Sequence, residues 1–409
     1  MKSAKAIANA QIIFLTGAGA SIPLGLPDTH GFLNRLINSA RIRGFAAEKG
    51  TKAELVSELT EINQRPDADI EKILSDLDER LEGIEALKND ATFVRFVSAI
   101  LRPMDSAKLY RSYLEHLREI IYDEVVLAYQ DVDPQSAADL YRAVLAGFPR
   151  LFHDIPDLGN TIPFFTTNYD LAIEEAASDL NIRVVDGFRD APSGPVWDPD
   201  TFASYIEDQS RINVALVKLH GSVNWAQDPS SPGTIAKIPR RMTRNPGGFK
   251  NVLLYPTLGS KQVRIPPYRA NYDCLRQCLL GAKLVIVIGS SFRDPELNEE
   301  LRRGFDDNKD LHLVAISPGA NNKVIAQIIN AEGADNRIAG IRGKFGDSTL
   351  QPLNQLLMTN HLRDFARLAC GVQQTQSHFH FGGTFDLPVQ APKLLPSYRP
   401  SLNPPDLAR

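Results

Sequence analysis

Cysteine is scarce: three in 409 residues, at 274, 278 and 370, too few for a disulfide framework. A reducing cytoplasm is therefore the expected compartment. Cys-x-x-Cys pairs are missing, and Cys274 and Cys278 stand one helical turn apart, as packing residues do. His378-Phe379-His380 is too isolated for a metal site. No metal is expected. No run approaches the roughly 20 apolar residues that span a bilayer. The opening MKSAKAIANAQIIF is basic, but its short apolar run reads as a first strand rather than a signal peptide. A net charge of −4 gives no global reason to bind nucleic acid or an anionic membrane. A Walker-type loop, a Gly-x-Ser-x-Gly elbow and any internal repeat are also lacking.

What is present fits one large α/β domain carrying an insertion: ordinary apolar content at 43% and charge at 23% over 409 residues. Ile12-Ile13-Phe14-Leu15 reads as a buried parallel strand. Thr16-Gly17-Ala18-Gly19-Ala20-Ser21 follows, a turn with no Cβ at two positions, which a phosphate can approach and where several N–H groups can point inward. A helix starting near Phe32 would add its positive dipole end, and Phe32, Leu33, Leu36 and Ile37 would pack it on the sheet.

From about 41 to 150 the pattern is helical, over Ile70–Leu81 (capped by Asp67 or Asp69), Phe93–Leu101, Tyr110–Tyr129 and Ala137–Phe148. That length exceeds an ordinary crossover and predicts an inserted helical subdomain. Thr161–Thr166, Asn213–Leu219, Leu253–Tyr255, Leu284–Ile288 and Leu311–Ile316 read as strands, with Pro163 near the start of the first. Asn354–Leu368 reads as a helix. Residues 371–409 form a separate arm, proline-rich from Phe379 and extended or disordered, with its apolar groups docked on a neighbour or across its own domain.

The polar candidates sit just past strand ends, where open parallel sheets bind ligands. His220 ends a strand before a glycine and can transfer protons near neutral pH, or simply cap or pack. Asn168 can hold a ribose hydroxyl or a water without charge, and Asp170 offers a carboxamide its acceptor. Both could equally make an Asx turn, or Asp170 an N-cap. Gly289, Ser290 and Ser291 let the backbone approach a ligand closely, or merely join strand to helix. The basic residues within Ala226–Asn251 (Lys237, Arg240, Arg241, Arg244, Lys250) read as a solvated loop.

Four ordered motifs carry a resemblance: Gly17-Ala18-Gly19-Ala20-Ser21 with Gly25-Leu26-Pro27-Asp28, Thr166-Thr167-Asn168-Tyr169-Asp170, Lys218-Leu219-His220-Gly221-Ser222, and Gly289-Ser290-Ser291-Phe292. Together, over roughly residues 10 to 350, they resemble the sirtuin superfamily. The resemblance implies a Rossmann-like parallel sheet with NAD+ as substrate. Asn168 and His220 would be catalytic. Gly17, Ala18, Gly19, Ser21, Asp28, Thr167, Asp170, Gly289, Ser290 and Ser291 would bind the nucleotide. Two departures stand out. Thr29-His30 replaces the family's Phe-Arg after Pro-Asp, which offers His30 as a second acid or base. The four-cysteine zinc module that deacylating sirtuins carry after His-Gly is missing. The likeness is strongest to bacterial sirtuin-like NADases of antiphage defence, which implies hydrolysis of NAD+ and a homo-oligomer. It also implies a separately encoded partner such as a HerA-type ATPase. NAD-dependent deacylation and non-catalytic binding of NAD or ADP-ribose are the alternatives.

Overall fold

Ile12–Thr16 (β1) is buried at every position, which a strand reaches only when both sheet faces are covered. In the computed structural model the described residues are 7, 10–48, 50–65, 70–89, 103–156, 158–192, 194–204, 211–227, 231, 233–238, 250–253, 266–331, 333–346, 361–372 and 381–386. After β1 come two short 3-10 turns and the helices α1 (Thr29–Ile37), α2 (Ala40–Ala47), α3 (Thr51–Asn63), α4 (Ile70–Asn89), α5 (Pro103–Tyr129) and α6 (Pro134–Leu145). Next are β2 (Thr161–Thr166), α7 (Ala172–Asp179), β3 (Arg183–Val185), β4 (Phe188–Arg189), β5 (Val196–Trp197), β6 (Asn213–Lys218), β7 (Gly221–Gln227), β8 (Ile235–Lys237) and β9 (Lys250–Leu253). The chain continues through α8 (Tyr268–Gly281), β10 (Leu284–Ile288), α9 (Pro295–Asp307), β11 (His312–Ser317), α10 (Asn322–Ile328) and β12 (Ile338–Arg342). A helix over 361–369 (α11) precedes β13 (Thr384–Asp386).

The main sheet has the order β13-β12-β11-β10-β1-β2-β6-β3, and every pairing in it is parallel. Alternate residues point to opposite faces. Ile12 and Phe14 join Phe164 and Leu216 in a core with α6 and α7, while Ile13 and Leu15 join Phe165 and Val217 in a core with α8 and α9. This is the three-layer Rossmann-type arrangement. From β1 the chain builds the sheet one way through β2, then returns at β10 and builds the other way. The turns after β1 and β10 therefore lie side by side at a switch point.

The strands over 161–166, 213–219, 284–288 and 311–316 appear within a residue of their expected ends. Pro163 is third in its strand, and pairing with β1 starts one residue later, at Phe164. Other expectations change. The apolar face of α1 joins Leu55, Ile73, Leu117 and Ile121 in the core of the insertion, not the sheet. Conversely, Leu140, Tyr141 and Val144 of α6 pack on the sheet. The insertion thus closes near residue 130, and α6 is the crossover helix; amphipathic spacing shows a buried face but not what covers it. The strand near 253 belongs to a separate antiparallel sheet, β4-β5-β8-β7-β9. That sheet also draws in part of the expected 226–251 loop. The boundary at 370 falls inside the folded body, because β13 pairs with β12, and Phe381 and Phe385 pack against Phe365. Asp67, Asp69, Phe93–Leu101, residues 354–360, Arg240, Arg241, Arg244 and residues 387–409 lie outside the described residues.

Candidate functional site

The turns after β1 and β10 interlock. A Cβ on Gly19 would stand 2.8 Å from the Gly289 carbonyl oxygen, and one on Gly289, at φ +66°, 2.1 Å from the Ala20 nitrogen. The glycines are therefore needed first for one turn to close on the other. Gly17 N–H donates to the Ile288 carbonyl and Gly19 N–H to that of Gly289, at 2.9 Å each. Ala20 and Ser21 donate within the turn. The expected cradle of several inward amides is accordingly smaller: Ala18, Ser290 and Ser291 supply the amides with no backbone acceptor among the described residues. Nor does the next helix offer an open dipole end. Asp28 caps α1 through its Oδ1, which accepts from Gly31 N–H at 2.7 Å.

A cavity of about 770 Å³ opens at this edge of the sheet, within the size range of small-molecule sites. It is lined by Gly17, Ala18, Gly19, Ser21, Asp28, Thr167, Asn168, Asp170, His220, Gly289, Ser290 and Ser291, so every candidate residue meets there. The side chain of His30 is outside the described set. The wall opposite the sheet comes from the insertion, through Phe32, Ile70, Val125 and Tyr129. Tyr129 stacks on Phe32, meets Tyr169 edge-on and donates its hydroxyl to the Pro27 carbonyl at 2.9 Å. Burial, reinforced by the Asp170 and Asp28 carboxylates, raises its pKa far above the usual phenol value, so the hydroxyl stays a donor.

Asn168 is held by what its amide gives away. Its Nδ2 donates to the Gly17 carbonyl at 3.0 Å and to Ser21 Oγ at 2.9 Å. A carbonyl only accepts, so the nitrogen must face Gly17, and Oδ1 is the atom left for a ligand. An acceptor there fits a water, a ribose hydroxyl or an amide N–H₂. Ser21 Oγ passes the chain on by donating to Asp170 Oδ2 at 2.7 Å, while Asp170 Oδ1 accepts from Ala172 N–H at 3.0 Å. Both oxygens of Asp170 thus already brace the turn and the start of α7, and a carboxamide would have to share them.

The strand end at His220 rests on side chains to which the sequence reading gave no role. Lys218 is 1% exposed. Its ammonium donates to the Asp170 carbonyl, to Glu174 Oε1 at 2.9 Å and to Ser222 Oγ at 2.9 Å. Asn271 donates to the Lys218 carbonyl at 2.8 Å. Gly221, at φ +82°, turns the chain from β6 into β7, where a Cβ would stand 2.1 Å from the Val252 carbonyl oxygen. His220 Nε2 lies 2.7 Å from Asp294 Oδ2 and 3.1 Å from the Tyr272 hydroxyl. Burial, and then the Asp294 charge, keeps Tyr272 protonated. Sequence reasoning passed over Asp294, Tyr272 and Tyr129, and quoted Lys218 only as a motif residue without a role. Asp294-Pro295-Glu296 does carry a helix-start signal, but a cap signal says nothing about a distant histidine.

Among the described residues no group of three His, Cys, Asp or Glu side chains has metal-ligand geometry, and no helix is long and apolar enough to cross a membrane. The SIR2-like domain family model matches residues 163–336. That segment holds the Asn168, His220 and Gly289 motifs but not the first glycine turn. No curated protein matches the chain. Solved structures that resemble it include a Sir2 homologue with NAD, at 15% identity over 90% of this chain and 93% of that one, TM-score 0.37. Another is an ADP-ribose complex of a mutant Sir2 homologue, at 15% identity over 91% and 98%, TM-score 0.39.

Proposed function

We propose that the chain is an NAD+ glycohydrolase. Water forms a bond to the anomeric carbon of the nicotinamide ribose while the bond to the pyridinium nitrogen breaks. The bonding pair leaves with neutral nicotinamide, and the water's proton passes to a base, giving ADP-ribose. His220 is that base or polarises the ribose, and the acceptor Oδ1 of Asn168 holds the water or a ribose hydroxyl. Ala18, Ser290 and Ser291 offer backbone amides to the pyrophosphate. The observation that carries the reading is the convergence of Asn168, Asp170, His220 and both glycine turns on one cavity.

A second reading, NAD-dependent deacylation, draws on the same convergence. The segment after His220 favours hydrolysis: it folds partly into β7–β9 and has no cysteine before Cys274, where deacylating sirtuins carry a zinc module. Purified protein incubated with NAD+ alone should release nicotinamide, with or without a chelator. An acetylated peptide should be returned unchanged. Nicotinamide formed only together with deacetylated peptide would select the second reading, and no nicotinamide under either condition would refute both. A role in antiphage NAD+ depletion, a homo-oligomer and a HerA-type ATPase partner rest on the resemblance. An unrestrained NADase harms its own cell, and assembly would supply the restraint.

A further inference from the structure

The contact at His220 Nε2 decides more than the place of the ring. Asp294 begins α9, and its carboxylate is divided between two tasks. Oδ1 accepts from the amides of Glu296 at 3.0 Å and Leu297 at 3.2 Å, which fixes the carboxylate plane. Oδ2 lies 2.7 Å from His220 Nε2. An ionised carboxylate can only accept, so a neutral His220 facing it carries its proton on Nε2 and its lone pair on Nδ1. The Tyr272 hydroxyl, 3.1 Å from the same nitrogen, can donate or accept and so selects neither tautomer. His220 is 5% exposed, and Asp294 is anchored to a helix start rather than to a loose loop.

We propose that Asp294 is a positioning residue that acts through His220: it orients the imidazole and holds the neutral ring in the Nε2–H tautomer, which makes Nδ1 the base. The consequence for catalysis rests on the hydrolase reading above; the tautomer does not. In the hydrolase, Nδ1 takes the proton from the attacking water or a ribose hydroxyl while Nε2–H stays on Asp294. The wrong tautomer would present an N–H where a lone pair is needed.

Asp294→Asn tests this, because asparagine caps a helix about as well as aspartate, and its amide can donate to Nε2. Its melting temperature should stay close to that of the parent. With nitrogen-15 in the histidines, magnetic resonance at a pH where the ring is neutral should show Nε2–H in the parent protein and Nδ1–H in Asp294→Asn. Tyr272→Phe should keep Nε2–H. In NAD+ assays, Asp294→Asn should lower kcat by on the order of a hundred-fold or more, as a misplaced tautomer does, with KM within about three-fold of the parent. Asp294→Ser, which keeps a cap and removes the carboxylate, should lose kcat likewise. Nε2–H retained in Asp294→Asn, or Nδ1–H in the parent, would overturn the proposal whatever the activity. If the parent releases no nicotinamide, the hydrolase reading fails and the resonances still decide the tautomer. Normal kcat in a folded Asp294→Asn with a switched tautomer would refute the catalytic part.

Discussion

Asn168 shows how a residue can serve the scaffold with one end and the ligand with the other. Asn168→Ala removes the two hydrogen bonds that tie β2 to the glycine turn, at a cost of about 1–3 kcal/mol, and should abolish nicotinamide release. Asn168→Asp keeps Oδ1 but sets an oxygen against the Gly17 carbonyl and a second charge near Asp170. It should unfold more easily than the alanine variant by about 1–2 kcal/mol. Chemical denaturation of the pair checks this, and an aspartate variant as stable as the parent would show the amide turned the other way. Lys218 belongs to the same scale. Its ammonium has three acceptors in a buried place, so Lys218→Met leaves Glu174 and the Asp170 carbonyl without their cation. A loss of about 3 kcal/mol is expected. Adding Glu174→Leu should restore part of it, because the unpaired carboxylate then goes too.

Among the elements, α5 lines the site through Val125 and Tyr129. Tyr129→Phe keeps the ring against Phe32 and Tyr169 but strands the Pro27 carbonyl. Stability should fall by about 1 kcal/mol. The Leu26-Pro27-Asp28 loop should loosen enough that KM for NAD+ rises more than kcat falls. Steady-state kinetics on the variant read that division directly. The same element marks where the sequence stops being legible. The strands of the main sheet could be read because runs such as Ile12–Leu15 and Leu284–Ile288 are apolar throughout, as strands covered on both faces must be. The candidate residues could be read because they cluster just past those strand ends. The partners of each helix could not. Phe32 and Leu36 of α1 have the same spacing whether they face the sheet or α5, and only the fold decides. Asp294 and Lys218 escaped for a similar reason, since their contacts join elements far apart in the chain.

At the scale of the whole molecule, β13 closes the sheet beside β12, with Phe381 on Phe365 and on the ring of His312 at 4.3 Å. A chain ending at residue 372 should therefore melt lower and aggregate, because it bares a sheet edge and an apolar patch. A chain ending at 386 keeps that strand and should melt higher than the shorter one. Calorimetry with light scattering distinguishes the two. If both truncations behave alike, β13 contributes nothing. Two histidines near this edge also set a pH limit. Burial lowers the pKa of His312 and His361 from the ordinary 6.5, so the folded state prefers both neutral. Above about pH 6.5 the two states bind these protons equally little. As pH falls below that value the unfolded chain takes them up first, and stability should decline. Denaturation midpoints between pH 8 and pH 5 should show the decline, and substituting phenylalanine at 312 should reduce it.

Gly19 and Gly289 lie nearly the whole length of the folded body apart in the order of synthesis. A ribosome that has released residues up to 280 has already made the first turn, Asn168 and His220. It has not yet made the strand and turn on which they close, nor Asp294. At about 5–20 residues per second, the interval between making the two glycines is on the order of ten seconds or more. Throughout it the first glycine turn exists without the turn that closes on it. On the hydrolase reading proposed above, a chain that stops before Gly289 lacks the second glycine turn and Asp294 and should release no nicotinamide, so the onset of activity follows from the topology.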